Sequence, residues 1–194
     1  MEHVIITNYK VFKERGTLFT DRTKENPNKS GKLYMNKIEI KKRPSQAELD
    51  KLNLEVDEFD IARQKELIQE IVSEAKENKS AKDVLLFVHG YVPFKKSHKL
   101  QSLYEINEKY ITKDSKIFKI LYISWPGFGW PWGESKEAYE IGRDIFDRTV
   151  FFLFHLSHEL KEEGGNLHFL AQSWGNRVLS GFCSKIDLRK RYLK

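Results

Sequence analysis

The sequence predicts an α/β protein with a mostly parallel sheet and helices on both of its faces, and three observations predict it. Asp83-Val84-Leu85-Leu86-Phe87-Val88 and the stretch 117–124 are largely apolar runs with the form of strands buried on both faces, as parallel sheets require. Segments of helical periodicity alternate with these runs, which is the order of a doubly wound fold. Third, 166–179 reads as a short apolar strand, a tight turn carrying Ser173 and an amphipathic helix.

Taken in order, 4–8 is rich in β-branched residues and predicts a first strand. Residues 32–40 carry Leu33, Met35, Ile38 and Ile40 in imperfect alternation and predict a second, so an N-terminal strand pair precedes the alternating region. Asn26-Pro27-Asn28 marks a turn between them, and Ser45 with Glu48 offers a capping box for a short helix. Residues 61–75 place Leu67, Ile68, Ile71, Val72 and Ala75 on one helical face, which should pack on the sheet. After the strand that ends at His89-Gly90 come a helix over 99–110, the strand 117–124, a long helix over 134–161, the strand 167–170 and a last helix over 174–185.

Composition narrows the function classes. The chain has 194 residues, 40% of them apolar and 13% aromatic, enough for a folded core and inconsistent with disorder. The net charge of +6 is uneven: residues 1–50 hold 11 basic and 7 acidic side chains, and 185–194 hold 5 and 1. No long basic run is interleaved with aromatics, so a solubilising surface is expected and nucleic acid is not an expected partner. Cys183 is alone, which rules out an intrachain disulfide and a cysteine-rich zinc site. The first residues lack the pattern of a signal peptide, and 150–154 is far too short to span a bilayer, so no transmembrane segment and a cytoplasmic location are expected.

The chemistry sits in the turn. A serine between a strand and a helix projects its hydroxyl from the top of the bend, while the first N–H groups of the helix point to the same place and can bind an oxyanion. The alternative role for Ser173 is a helix N-cap. Gly90 lets backbone approach closely, and Gly175 lets the helix start against the strand.

Three segments together, Phe87-Val88-His89-Gly90-Tyr91, Ser124-Trp125-Pro126 and Ala171-Gln172-Ser173-Trp174-Gly175-Asn176-Arg177-Val178, resemble the α/β-hydrolase superfamily. More narrowly, they are similar to a group of bacterial α/β-hydrolases of unknown function. The likeness covers roughly residues 80–185; 1–60 would hold the N-terminal strands and their connection, and 1–194 a single, incomplete domain. The chain departs from the usual elbow in having Ala171 two residues before the serine, and Trp174 stands where the group commonly has methionine. The resemblance implies Ser173 as nucleophile, the Trp174 and Tyr91 backbone N–H groups as oxyanion donors, His89, Gly90 and Gly175 as support, and no cofactor.

In that superfamily the acid and the histidine follow the nucleophile in the chain. Only Asp187 and no histidine follow Ser173 in the remaining 21 residues. The expectation is a fragment whose later strands, acid and histidine lie beyond Lys194, leaving 167–170 as an open sheet edge available to self-association or a partner chain. His89 should hold its loop, and His155 and His158 with Glu159 lack a third metal ligand, so no metal is expected. The loop containing Trp125, Phe128, Trp130 and Trp132 follows a strand's C-terminal end, and could line a substrate site, cap the core or dock a protein. These readings converge on a serine esterase or lipase-like hydrolase of a small-molecule ester or acyl substrate. The alternative is a non-catalytic or partner-completed binding domain of the same fold.

Overall fold

The structure is a computed structural model that describes residues 2–7, 32–40, 45, 57–90, 96–125 and 134–192. Among the described residues ten elements follow one another: β1 (Glu2–Thr7), β2 (Tyr34–Glu39), β3 (Asp57–Glu58), α1 (Ile61–Glu77), β4 (Asp83–Val88), α2 (Lys96–Tyr110), β5 (Ile117–Ser124), α3 (Glu134–Glu162), β6 (Leu167–Ala171) and α4 (Gly175–Tyr192). Of the capping box only Ser45 is described; Glu48 and the turn at 26–28 lie outside the described residues.

One six-stranded sheet runs in the order β3-β2-β1-β5-β4-β6. β1, β5, β4 and β6 are parallel, while β2 and β3 pair antiparallel on the far side. The sheet is therefore mostly parallel, and the predicted N-terminal strand pair is β1 with β2. The apolar runs occupy its middle, where every residue of β4 and all but the first of β5 are buried.

Helices cover both faces. Leu67, Ile71, Val72 and Ala75 of α1, Phe146, Phe152, Leu156 and Leu160 of α3, and Val178 and Phe182 of α4 pack on one face against Val84, Leu86, Leu121 and Ile123. Leu103 and Tyr104 of α2 pack on the other against Ile5, Leu85, Phe87, Ile120 and Tyr122. Each fully buried aliphatic or aromatic side chain contributes roughly 1.5–3 kcal/mol, so the thicker face dominates the fold's stability. Asp60 starts α1 by accepting the Arg63 N–H at 2.8 Å. Asn78 ends it, its N–H bonding to Glu74 O while its own side chain takes the Ser80 and Ala81 N–H groups.

Two polar groups inside β1 and β5 have specific partners. Lys119, only 2% exposed, ion-pairs with Glu74 of α1 at 2.7 Å. His3 is fully buried: its Nδ1 accepts the Ile120 N–H at 3.1 Å, and its Nε2 lies 2.7 Å from Asn107 Oδ1. A neutral ring with the proton on Nε2 satisfies both bonds, and burial lowers the His3 pKa from 6.5 to about 4.

β6 ends the described sheet. Its burial is the weakest of the parallel strands, and Phe169 is 41% exposed. Val84 N bonds to Asn166 O and Gln172 N to Val88 O, so the even-numbered residues face β4 and the N–H and C=O groups of Leu167, Phe169 and Ala171 point outward. No described helix is long and apolar enough to cross a membrane.

Candidate active site

The turn between β6 and α4 stands at the C-terminal end of the parallel strands, beside the end of β4. Gln172 continues the ladder by donating its N–H to Val88 O at 3.0 Å. The chain then reverses within two residues, with Gly175 N bonding Gln172 O at 2.8 Å and Asn176 N bonding Ser173 O at 3.0 Å. The Asn176 side chain adds a second donor to Ser173 O at 3.1 Å. This reversal forces Ser173 to φ +49°, and it is the one non-glycine residue with positive φ among those described. Such a conformation costs a side-chain-bearing residue on the order of 1 kcal/mol.

Two glycines make the turn possible, both by close approach rather than by unusual φ. A Cβ on Gly90 would stand 2.8 Å from Gln172 O and 2.9 Å from Ser173 Cβ. A Cβ on Gly175 would stand 2.6 Å from Val88 O and 2.7 Å from His89 O. The loop after β4 and the first turn of α4 are therefore pressed together backbone to backbone, with Ser173 at their junction. Its side chain is exposed, and neither its hydroxyl nor the Trp174 N–H has a hydrogen-bond partner among the described residues.

His89 is fully buried beneath this junction. Its Nδ1 lies 2.6 Å from Gly90 O, and its Nε2 faces the Trp125 backbone, 3.0 Å from O and 3.3 Å from N. Trp125 closes the arrangement by donating its indole N–H to His89 O at 2.7 Å and stacking on the imidazole at 5.5 Å. His89 thus ties the end of β4 to the residue that follows β5. At 1% exposure Trp125 belongs to the core, its ring drawn under the loop by that stack and hydrogen bond. Tyr91, Phe128, Trp130 and Trp132 lie outside the described residues.

Set against models of known families, against curated proteins and against solved structures, the chain matches none. Its site is read from geometry alone.

The side chains of four other histidines are described: His3, above, and His155, His158 and His168. His168 lies near the opposite end of β6 and meets Asp83 Oδ2 at 2.8 Å, while Asp83 Oδ1 takes the Asn166 N–H at 2.8 Å. His155 faces α1 across a groove of about 570 Å³, and His158 stands 3.8 Å from Glu159 on the outer side of α3. No group of three metal-ligating side chains occurs among the described residues.

Sequence reasoning gave no role to Asn176 and Arg177. Asn176 braces the turn, and the Arg177 guanidinium lies 4.5 Å over the Trp174 ring. Both belong to the motif around the serine, and polar residues at the start of a helix otherwise expected to bury its face were the available signal.

Proposed function

We propose that the protein is a serine hydrolase that cleaves a carboxylic ester or thioester through an acyl-Ser173 intermediate. The observation that carries the reading is the left-handed Ser173, with its hydroxyl at the surface of a strand-to-helix turn. An N-cap serine needs no such conformation, since cap residues adopt extended φ and ψ.

In the reaction Ser173 Oγ bonds to the substrate carbonyl carbon and passes its proton to a general base. The carbonyl oxygen becomes an oxyanion, for which the Trp174 N–H is a ready donor; the Tyr91 N–H is the expected second. Collapse breaks the carbon–oxygen or carbon–sulfur bond, and the leaving group takes the proton. Water then attacks the acyl-serine and releases the acid. Each oxyanion donor is worth about 3 kcal/mol of transition-state stabilisation.

The test is covalent capture. A fluorophosphonate probe should phosphonylate Ser173, displacing fluoride, with the modified peptide identified by mass, and Ser173→Ala should remain unlabelled. An unlabelled wild-type protein under conditions that label a control serine hydrolase overturns the reading.

A second reading, a binding domain or one completed by another chain, is favoured by a specific observation. Among the histidines whose side chains are described, His3, His89 and His168 are engaged by Asn107, by Gly90 with Trp125, and by Asp83 respectively, and His155 and His158 lie on α3. The outer edge of β6, unpaired among the described residues, is where a completing strand, or a second copy, would pair. Labelling that appears only on adding such a partner would select this reading.

A further inference from the structure

Arg177 lies in the first turn of α4, which begins at Gly175, and Ser173 stands in the turn just before that helix. The Arg177 side chain is exposed, and it has no carboxylate or hydrogen-bond partner among the described residues. It is not left to wander, because its guanidinium lies 4.5 Å over the ring of Trp174. Trp174 is itself half-buried and packed against the main core, so the platform is fixed to the fold.

Stacking uses the face of a guanidinium and leaves its in-plane N–H donors available. The result is a held cation with unspent donors, on the ring of the residue that follows an exposed serine. A positively charged group so placed, next to the N-terminal end of a helix, disfavours a cationic substrate and rewards an anionic one.

Resting on the serine-hydrolase reading, we propose that Arg177, held on Trp174, is a specificity-determining residue that selects substrates carrying a carboxylate within a few bonds of the scissile carbonyl. The carboxylate can belong to the acyl part, as in the half-ester of a dicarboxylic acid, or to the leaving group. Both present the same planar anion to the guanidinium fork.

The experiment uses the full 194-residue chain and three fluorophosphonates of matched length: one neutral, one with a carboxylate ending the chain on phosphorus, and one with a carboxylate ending the alkoxy chain. Second-order labelling rates at Ser173 are compared for wild type, Arg177→Gln and Arg177→Lys. One carboxylate probe should outpace the neutral probe about tenfold in wild type, the yield of one charge-assisted hydrogen bond. Which one does so tells where the substrate's anion sits. The preference should fall to near unity in Arg177→Gln, survive in part in Arg177→Lys, and shrink with added salt.

Trp174→Leu removes the platform and should bring the ratio of carboxylate-probe to neutral-probe labelling, compared within that variant, toward unity. If all three probes label Ser173 and Arg177→Gln leaves their relative rates unchanged, this inference is wrong and the hydrolase reading stands. If no probe labels Ser173 in any protein, the hydrolase reading fails and the inference falls with it.

Discussion

β4 and β6 lie side by side, and the chain turns into β6 at one end and out of it at the other; the two ends are built to opposite ends of use. At the lower end the polar groups are spent on structure. Asp83 takes the Asn166 N–H and meets His168 Nε2, Lys82 Nζ donates to Glu163 O, and the left-handed residue of the turn is Gly164, at φ +80° and with open space around it. At the upper end the turn is held by backbone bonds and by the Asn176 side chain, and the left-handed residue is a serine whose hydroxyl is uncommitted. The same fold uses glycine where only the bend matters. A serine in the more costly conformation points to a role for its side chain.

Close backbone approach at both ends gives the largest expected effect and the sharpest separation. Gly165→Ala would place a Cβ 2.2 Å from Lys82 O, and Gly90→Ala one at 2.8 Å from Gln172 O. Overpacking against backbone costs about 3 kcal/mol in the first case and about 2 in the second. Both variants should unfold at lower denaturant concentration. Only Gly90→Ala should also lose fluorophosphonate labelling below its transition, since it displaces Ser173; equal labelling in the two would erase the distinction between the ends.

Acid should act on the lower end. His3, at the start of β1, has its pKa lowered to about 4 by burial, against 6.5 in the unfolded chain. The unfolded state therefore binds the proton first. Stability from this group is complete above pH 6.5 and is lost as the pH falls toward 4, on the order of 3 kcal/mol in total. Urea titrations from pH 7 to pH 4 should show that slope, and His3→Gln, uncharged throughout, should flatten it. An unchanged slope in the variant would assign the acid sensitivity elsewhere.

Asp83→Ala comes next. It removes the buried acceptor of the Asn166 N–H and the His168 ring; both residues are themselves exposed and can turn to water, so the cost is about 1 kcal/mol. Labelling of Ser173 should persist, because the change lies at the far end of β6. Loss of labelling in a protein still folded by circular dichroism would tie the lower end to the site.

What the sequence disclosed, and what it did not, follows the range of the interactions involved. β4 and β5 were legible to the residue, because a strand between two others must be apolar throughout. The β6 turn was legible because strand, serine and helix are contiguous. The φ of Ser173 was not, since it depends on how closely Gly90 and Gly175 bring separate segments together. Nor was the meeting of Asp83 with His168, 85 residues apart, or of His89 with Trp125, 36 apart: both need the parallel register, which no local pattern encodes. Lys119 stands inside an apolar run, and only the position of Glu74 on α1 explains it.

The smallest effect is the most informative, and its sign is opposite to the rest. Ser173→Gly removes the side chain from a left-handed position that glycine adopts freely, as Gly164 does below. The relief, about 1 kcal/mol, is partly offset by the greater freedom of glycine in the unfolded chain, so the variant should be as stable as wild type or gain up to about 1 kcal/mol. Ser173→Ala keeps the strain and should match wild type. Both should lose labelling entirely. A serine whose replacement by glycine costs no stability and removes all reactivity is there for its hydroxyl; a serine whose replacement by glycine destabilises the fold is part of the turn, and the contrast between the two ends of β6 would then be one of construction alone.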